Sequence, residues 1–222
     1  YDEPMKKHTT FRVGGPARAL VEPGSAEDVK SVVEFCKSEQ IPYYIVGNGS
    51  NLLVSDKGYD GVIIHLFKNM SAMRIEGNKV YVQAGALLSK VAVQAGRKGL
   101  TGMEFASGIP GTIGGALVMN AGAYGGEMKD VVRLVQVMCE DGSFREYTGA
   151  EMEFGYRTSR VLHEKSVALE AVLELTPGVP TAIQNRMEEL KEARITKQPL
   201  NYASAGSTFK RPEGYFAGKL IQ

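Results

Sequence analysis

The sequence predicts an α+β protein in which two α/β units are followed by the start of a third domain. Short apolar strands alternate with helical stretches through the first half of the chain. Each of the two units also contains a glycine-rich segment, and from residue 180 the sequence changes to a charge-rich helix. We therefore expect domains over residues 1–67, 68–178 and 179–222.

Four elements define the first unit. They are a strand over 17–22, a helix over 26–39, and two strands over 43–46 and 62–66. Ser25 is the expected N-cap of the helix, and Asp28 stands three residues later at the capping-box position. The strand over 43–46 runs directly into the turn Gly47–Asn51, so backbone N–H groups should gather at the carboxyl end of that strand.

The second unit follows a similar plan. Its predicted elements are a strand over 79–84, a helix over 87–97, a glycine-rich loop over 102–126, and strands over 131–139, 143–148 and 167–176. Asp141-Gly142 is a typical hairpin turn between the second and third of these strands. Beyond them, apolar residues at helical spacing from Ile183 to Arg194 predict one charged helix, and residues 215–222 form a last apolar stretch.

Composition excludes several classes of function. The 222 residues carry a formal net charge of +1, so no broad electrostatic field attracts nucleic acid or an acidic membrane. No apolar run reaches the roughly 18 residues of a membrane-spanning helix. The 2 cysteines and 3 histidines are scattered without the spacing of zinc ligands, so we expect no metal site and a reducing, cytoplasmic location.

Two glycine-rich segments, Gly47–Asn51 and Gly108–Gly115, are the most informative feature of the sequence. Neither is a P-loop or a Rossmann fingerprint. Both offer small residues whose N–H groups can surround an anion, and one such loop in each unit fits an extended dinucleotide that lies between them. Turns in an ordinary α+β domain are the alternative that glycine content alone leaves open.

Six segments give the sequence a specific resemblance. They are 8–17 (HTTFRVGGPA), 46–54 (VGNGSNLLV), 108–116 (GIPGTIGGA), 119–125 (MNAGAYG), 154–159 (FGYRTS) and 206–212 (GSTFKRP). In this order they resemble the UDP-N-acetylenolpyruvoylglucosamine reductase family, the UDP-N-acetylmuramate dehydrogenases of bacterial cell-wall synthesis. The last segment is similar to that of the subclass without an extra tyrosine loop, and the resemblance covers essentially the whole chain.

The resemblance implies a fold and a reaction. The fold is an FAD-binding fold of the vanillyl-alcohol-oxidase (PCMH) type, with two α/β subdomains around the flavin and a C-terminal substrate domain that is incomplete here. The reaction is the reduction of UDP-N-acetylglucosamine-enolpyruvate to UDP-N-acetylmuramate, with FAD as cofactor and NADPH as hydride donor. We expect a monomer whose partner is this nucleotide sugar and which binds neither nucleic acid nor membrane.

By the same resemblance, the residues that bind FAD come from three segments. In the first they are Val46, Gly47, Asn48, Gly49, Ser50, Asn51 and Leu52; in the second Ile109, Pro110, Gly111, Thr112, Gly114 and Gly115; and in the third Asn120, Gly122, Ala123 and Tyr124. The side chains of Ser50 and Asn51 add hydrogen-bond donors.

Arg157 and Ser207 are the expected catalytic residues. The family's motif places an arginine that stabilises the substrate at Arg157, and a guanidinium is suited to bind a carboxylate through two hydrogen bonds. It places the proton donor at Ser207, where Lys210 and Arg211 can stabilise the oxyanion left behind. Tyr156, Arg157, Lys210 and Arg211 are the expected substrate-binding residues.

Four alternatives stay open on the sequence alone. Arg157 can be a surface residue paired with Glu153, and Ser207 a plain turn residue. The chain can be an oxidase of the same flavin fold that acts on another alcohol. It can also be a non-catalytic FAD-binding fragment, because the family's third catalytic group, a glutamate near the C-terminus, has no counterpart here. Since the last apolar stretch stops without a cap, we expect further residues after Gln222.

Overall fold

The first unit is a four-stranded sheet with one helix. The computed structural model describes residues 1–221, and this unit contains β1 (Glu3–Pro4), β2 (Pro16–Val21), α1 (Ala26–Ser38), β3 (Tyr43–Val46) and β4 (Tyr59–His65). The strand order is β1-β2-β4-β3, in which β4 is parallel to β2 and β3 while β1 is antiparallel to β2. The carboxyl ends of β3 and β4 therefore lie side by side, with Val46 opposite His65.

The second unit is larger and antiparallel. Its elements are β5 (Met73–Glu76), β6 (Lys79–Gln83), α2 (Leu88–Arg97), β7 (Leu100–Thr101), α3 (Ile113–Val118), β8 (Gly122–Ala123), β9 (Gly126–Glu127), β10 (Val132–Met138), β11 (Phe144–Thr148), α4 (Arg160–His163), β12 (Val167–Glu174) and β13 (Thr176–Pro177). Five of the strands form a sheet of order β11-β10-β12-β6-β5. Helices α2 and α3 contribute to the core of this unit, which contains Leu88, Val91, Ile113 and Leu117.

The predicted helices and strands of both units are confirmed to within three residues. The N-cap is also confirmed, because the Ser25 hydroxyl accepts a hydrogen bond from the Asp28 amide at 3.1 Å. The reciprocal capping-box bond differs, since the Asp28 carboxylate accepts from the amide of Gly24 at 3.0 Å. An aspartate is shorter than the usual glutamate, and here it bonds the residue before the cap.

The prediction of one continuous loop over residues 102–126 was wrong. Within it lie α3 and the small β8–β9 hairpin. The Thr112 hydroxyl caps α3 by accepting from the Gly115 amide at 3.4 Å. Two consecutive glycines in the first turn lower the intrinsic helix propensity, so tertiary packing rather than local preference forms this helix.

Helix α1 packs between the two units. Its buried residues Val29, Val33 and Cys36 belong to one apolar cluster that also contains Ile64 of β4 and Leu169 of β12. The side chain of Lys37 donates to the carbonyl of Glu140, at the turn that joins β10 and β11. The two sheets therefore share a core, and the turns that follow their strands are held in a fixed relation.

Two helices follow the second unit. Helix α5 (Pro180–Lys197) extends the predicted helix, with Pro180 at its first position, and buries Ile183 and Leu190. Helix α6 (Ala217–Ile221) falls within the predicted apolar stretch, whose last residue, Gln222, lies outside the described residues. Among residues 1–221, no helix has both the length and the apolar character needed to cross a bilayer.

Candidate active site

The turn Gly47–Asn51 begins where β3 ends, as predicted. Gly49 has φ +59°, and a Cβ at this position would lie 2.0 Å from the carbonyl oxygen of His8. Its own carbonyl accepts from the Thr10 amide at 3.2 Å. The turn is thus pressed against the segment 8–10, and only glycine meets both the backbone angle and the space.

The backbone amides of this turn are free to bind a ligand. Within residues 1–221, none of the N–H groups of 48–51 donates to a protein acceptor. Backbone polar groups left without a protein partner are usually satisfied by solvent or ligand. Consecutive amides of this kind form an anion-binding nest, so the turn is suited to a diphosphate.

The second glycine-rich segment uses its amides differently. The N–H groups of Ile113 and Gly114 donate to the carbonyls of Ala86 and Ala84 at 2.9 and 2.8 Å. The Gly115 amide is taken by the Thr112 hydroxyl, and Thr112 itself is buried. The amides at the start of α3 therefore hold the segment on the second unit, and only the first turn keeps a full set of free donors.

The two glycine-rich segments touch each other. The side-chain amide of Asn48 donates to the carbonyl oxygen of Pro110 at 2.6 Å. A Cβ on Gly47 would lie 2.2 Å from the Thr112 hydroxyl, so the backbones approach as closely as glycine allows. This contact joins loops from the two units into one surface.

Two glycines on this surface are not required by close packing within the protein. A Cβ on Gly111 would meet nothing nearer than the Ser50 hydroxyl at 3.5 Å, and one on Gly115 nothing nearer than the Thr112 hydroxyl at 3.6 Å. Neither residue has a positive φ. Internal packing and backbone angle therefore leave room for a side chain at both positions, and the open space fits a flat or extended ligand that lies on the backbone. The residues present thus fit an FAD-sized dinucleotide.

Asn120 lies at the start of the third predicted segment and is fully buried. Its amide nitrogen donates to Glu127 Oε2 at 2.5 Å and to the carbonyl of Gly155 at 3.1 Å, and its oxygen accepts from the Lys129 amide at 3.0 Å. Cofactor binding by Asn120 stays a prediction. Both polar atoms of its side chain already have protein partners.

The β8–β9 hairpin carries the rest of the third segment. Gly122 and Ala123 are partly exposed, and Tyr124 at the hairpin tip is 43% exposed with φ +52°. A Cβ on Gly122 would lie 2.8 Å from Gly126 O, which explains the small residue. An exposed aromatic ring at a strained tip is available for stacking on a ligand.

Arg157 lies in a tight turn and contacts the third segment. Gly155 and Thr158 exchange backbone hydrogen bonds, so Arg157 is the third residue of the turn, with φ +58°. Its guanidinium donates to the carbonyl of Gly122 at 3.1 Å and lies 3.5 Å from that of Asn120. Among the described residues, no carboxylate lies within 4.0 Å of the Arg157 side chain, so the alternative pairing with Glu153 is absent.

The predicted proton donor, Ser207, is exposed on the loop after α5, which contacts both units. Upstream, the Thr10 hydroxyl donates to the carbonyl of Ser204 at 2.6 Å. Downstream, the Arg211 amide donates to the Tyr156 hydroxyl at 3.1 Å. The structure thus brings the Gly-Ser-x-Phe-Lys-Arg segment, including the exposed Lys210, to the residue next to Arg157.

Two residues near the glycine-rich turns were not singled out in the sequence. Arg194 of α5 donates to the carbonyl of Gly108. His65 is buried at the end of β4, and its Nδ1 lies 3.1 Å from Glu22 Oε1. Burial lowers the pKa of His65, against the opposite effect of its contact with Glu22. No sequence motif marks either residue, because each acts through a contact between distant segments.

Comparison with known proteins identifies the fold. Residues 17–148 match the family described as FAD binding domain. The crystal structure of UDP-N-acetylenolpyruvylglucosamine reductase (MurB) from Thermus caldophilus has a TM-score of 0.85 and 38% identity, over 98% of this chain and 77% of that chain. A solvent-stable cholesterol oxidase, 18% identical with a TM-score of 0.63 over 80% of this chain and 38% of that chain, shares the fold alone. The FAD-binding fold inferred from the resemblance is confirmed.

Curated relatives are closer in sequence. The chain is 55% identical over 221 residues to the UDP-N-acetylenolpyruvoylglucosamine reductase of Clostridioides difficile (strain 630). The alignment covers 100% of this chain and 73% of that protein. It is 52% identical to the protein of the same name from Alkaliphilus metalliredigens (strain QYMF), with the same coverage of 100% and 73%. The chain belongs to the UDP-N-acetylenolpyruvoylglucosamine reductase family.

Proposed function

We propose that this protein is an FAD-dependent UDP-N-acetylmuramate dehydrogenase, which reduces UDP-N-acetylglucosamine-enolpyruvate with NADPH in the synthesis of peptidoglycan precursors. The observation that carries the proposal is the single surface formed by the two glycine-rich turns, which meet through Asn48 and Pro110. Because the chain belongs to this reductase family and matches an FAD binding domain over residues 17–148, we assign the dinucleotide cofactor to that surface. Bound FAD supplies the chemistry of accepting a hydride from NADPH and giving it to the enolpyruvyl group.

We propose that the cofactor lies across both turns. The free amides of 48–51 would bind its diphosphate, and the open positions at Gly111 and Gly115 would let it approach the backbone. The remaining residues of the proposed cradle are Val46, Gly47, Leu52, Ile109, Pro110, Thr112, Gly114, Gly122, Ala123 and Tyr124. Of these, Thr112 and Gly114 support the cradle by packing rather than by free donors.

Arg157 is proposed to bind the carboxylate of the enolpyruvyl group. When hydride reaches the terminal carbon, negative charge develops on the α-carbon and spreads into that carboxylate. A guanidinium without an acidic partner can stabilise this charge through two hydrogen bonds, once it exchanges the carbonyl oxygen of Gly122 for the substrate. Tyr156, whose hydroxyl already accepts from the Arg211 amide, is proposed to line the same pocket.

Ser207 is proposed to donate the proton that completes the reduction at the α-carbon. A hydroxyl stays protonated at neutral pH and can protonate a strongly basic carbon, provided that a cation stabilises the oxygen it leaves behind. Lys210 and Arg211 follow within four residues and are exposed on the same loop. The contacts at Ser204 and Arg211 would hold this loop across the two units while Ser207 acts.

We also propose the organisation of the chain. Residues 1–67 and 68–178 would form the two FAD-binding domains, and residues 179–222 would begin the domain that binds the nucleotide sugar. The first sheet ends at His65 and the second begins at Met73, which supports a boundary between residues 67 and 68. We propose a cytoplasmic location, because NADPH and nucleotide sugars are substrates of that compartment. We also propose a monomer, and sedimentation of the purified holoenzyme tests the oligomeric state.

The decisive experiment is purification followed by two assays. The protein should retain FAD and should oxidise NADPH rapidly only when the enolpyruvyl sugar is present. A colourless protein that takes up no FAD would overturn the proposal. Flavin that stays with the acid precipitate would indicate covalent attachment and favour an oxidase of the same fold; FAD binding without turnover of the sugar would favour a non-catalytic binding module.

A further inference from the structure

The residues that hold Arg157 in place form a closed set of contacts around Asn120. The two N–H groups of the buried Asn120 amide bond the Glu127 carboxylate and the carbonyl of Gly155, the first residue of the Arg157 turn. The backbone carbonyl of Asn120 lies 3.5 Å from the Arg157 guanidinium, which extends from the third residue of the same turn. One asparagine thus contacts both the beginning of the turn and the side chain that the turn presents.

The Arg157 turn needs such support. A positive φ at the third position of a turn favours glycine or asparagine, and a residue with a longer side chain there is strained by about 1 to 2 kcal/mol. Strained residues persist only where the surrounding structure fixes them, and they concentrate at functional sites. On its other side the turn is followed by Ser159, whose buried hydroxyl donates to the carbonyl of Val118 at 2.9 Å.

Asparagine is the residue that these contacts require. Asn120 has φ +40°, a conformation that asparagine tolerates better than most side chains. Both of its N–H donors are used and its oxygen already accepts from the Lys129 amide, so no side-chain donor is left for a flavin. An aspartate would place a second carboxylate 2.5 Å from Glu127 Oε2 in a buried position, where like charges repel strongly.

Glu127 is itself held in place. Its Oε1 pairs with Lys129 Nζ at 2.5 Å, and its backbone amide donates to Asp130 Oδ2 at 2.9 Å in a capping box. The β8–β9 hairpin that contains Glu127 also supplies Gly122, the second carbonyl that accepts from Arg157. The hairpin, Asn120 and the turn therefore form one hydrogen-bonded unit.

We propose that Asn120 is a positioning residue for Arg157, which fixes the guanidinium for the substrate carboxylate without touching FAD itself. The inference rests on the proposed role of Arg157. On this proposal the Asn120–Glu127 pair determines the position of the Arg157 guanidinium. Asn120 is then not a direct ligand of the cofactor.

The test compares Asn120→Gly with Arg157→Gly and with the double variant in the holoenzyme. Glycine keeps the positive φ of Asn120 and removes only its side chain. We expect Asn120→Gly to lower kcat/KM for the enolpyruvyl sugar by about tenfold or more, as loss of buried hydrogen bonds implies. NADPH-to-flavin transfer and the dissociation constant of FAD should stay within about twofold, while hydrogen exchange at residues 155–158 should become faster.

The double variant separates positioning from independent effects. If Asn120 acts through Arg157, Asn120→Gly should cause no further loss of kcat/KM in the Arg157→Gly background. Additive losses, or a weakened FAD complex in Asn120→Gly, would overturn the inference. Glu127→Gln, a milder change to the same hydrogen bond, should shift kcat/KM and exchange in the same direction, and Asn69→Ala, at an exposed asparagine elsewhere, should change neither.

The outcomes also separate the positioning role of Asn120 from the proposed role of Arg157. A full loss of activity in Arg157→Gly with normal activity in both Asn120→Gly and Glu127→Gln would overturn the positioning role and leave the proposed function standing. Normal activity in Arg157→Gly would overturn the role of Arg157, and the role of Asn120 with it.

Discussion

The side chain of Asn48 donates to the carbonyl of Pro110 at 2.6 Å, and this bond joins the glycine-rich turns of the two units. The surface on which the dinucleotide would lie is complete only where the two turns are in contact. The bond therefore sets the separation of the two halves of the cradle.

Replacing this asparagine should weaken cofactor binding more than it weakens the fold. In Asn48→Ala the two turns lose their direct bond, and the dissociation constant of FAD should rise about fivefold to tenfold, as expected for one hydrogen bond. Quenching of flavin fluorescence in a titration of the apoprotein measures the change. Asn69→Ala is the control, and equal affinities in the two variants would contradict the prediction.

Two glycines with almost the same backbone angle allow a matched test of close packing. Gly49 has φ +59° and Gly77 has φ +58°, but a Cβ would lie 2.0 Å from His8 O at Gly49 and would meet nothing within 4 Å at Gly77. Gly77→Ala should cost about 1 kcal/mol of unfolding free energy from the angle alone. Gly49→Ala should cost clearly more and should also lose FAD; urea denaturation of both variants decides, and similar midpoints would argue against a required close approach.

Arg157→Gly should separate function from stability. Glycine relieves the positive φ of +58°, so the melting temperature should stay the same or rise, while kcat/KM for the enolpyruvyl sugar should fall about a hundredfold or more. Lys165→Gly is the matched control, because Lys165 has φ +53° and is exposed outside the proposed site. Its variant should gain similar stability and keep full activity; a parallel loss of activity in both would indicate a general effect of glycine.

Gly115→Ala should have opposite effects on the apoprotein and on the cofactor complex. The alanine stabilises a helix by about 0.5 to 1 kcal/mol relative to glycine, and no protein atom lies closer than 3.6 Å to its Cβ. The melting temperature of the apoprotein should therefore rise while FAD affinity falls. Gly218→Ala in α6, also in open space, should leave FAD affinity unchanged. Undiminished affinity in Gly115→Ala would mean that the cofactor does not lie on this face.

The stability of the protein should decrease in mild acid because of His65. Burial lowers the pKa of this histidine in the folded protein, whereas the unfolded chain keeps the ordinary value of about 6.5. Between the two values the unfolded state binds more protons, so the unfolding free energy falls as the pH drops below about 6.5. Glu22 at 3.1 Å opposes this change in pKa, and the neighbouring His8, whose ring centroid lies 5.2 Å away, adds to it.

The measurement is chemical denaturation of the apoprotein at pH 7.5 and pH 5.5. In His65→Gln the difference between the two pH values should shrink, since the group that takes up the extra proton on unfolding is gone. His163→Gln, at an exposed histidine, should keep the difference of the wild type. An unchanged pH dependence in His65→Gln would assign the effect to other groups.

Local patterns were sufficient to predict most of the regular structure. Alternating apolar residues gave β10 to within a residue at each end, and the sequence placed the first turn directly after β3. The helix α3 was not predicted because Gly114 and Gly115 have low helix propensity. Its formation depends on backbone hydrogen bonds to residues 84 and 86. No local pattern carries that information.

The sequence proposed residues for the candidate site but did not show the contacts between them. The family resemblance selected Asn120, Arg157 and Ser207, since each lies in one of the matching segments. The side-chain partners of Asn120 are separated from it by up to 35 residues along the chain, so its bond to Gly155 appears only in three dimensions. The same holds for the bond from Arg211 to Tyr156.

The burial of α1 between the two sheets has a consequence for biosynthesis. The apolar face of this helix is completed only by residues such as Met138, Val167 and Leu169, which the ribosome makes much later than Val29. During synthesis the apolar face of α1 therefore stays partly exposed to solvent until the antiparallel sheet has been translated. The apolar contacts of α1 with the second sheet can therefore be complete only after Leu169 has been synthesised.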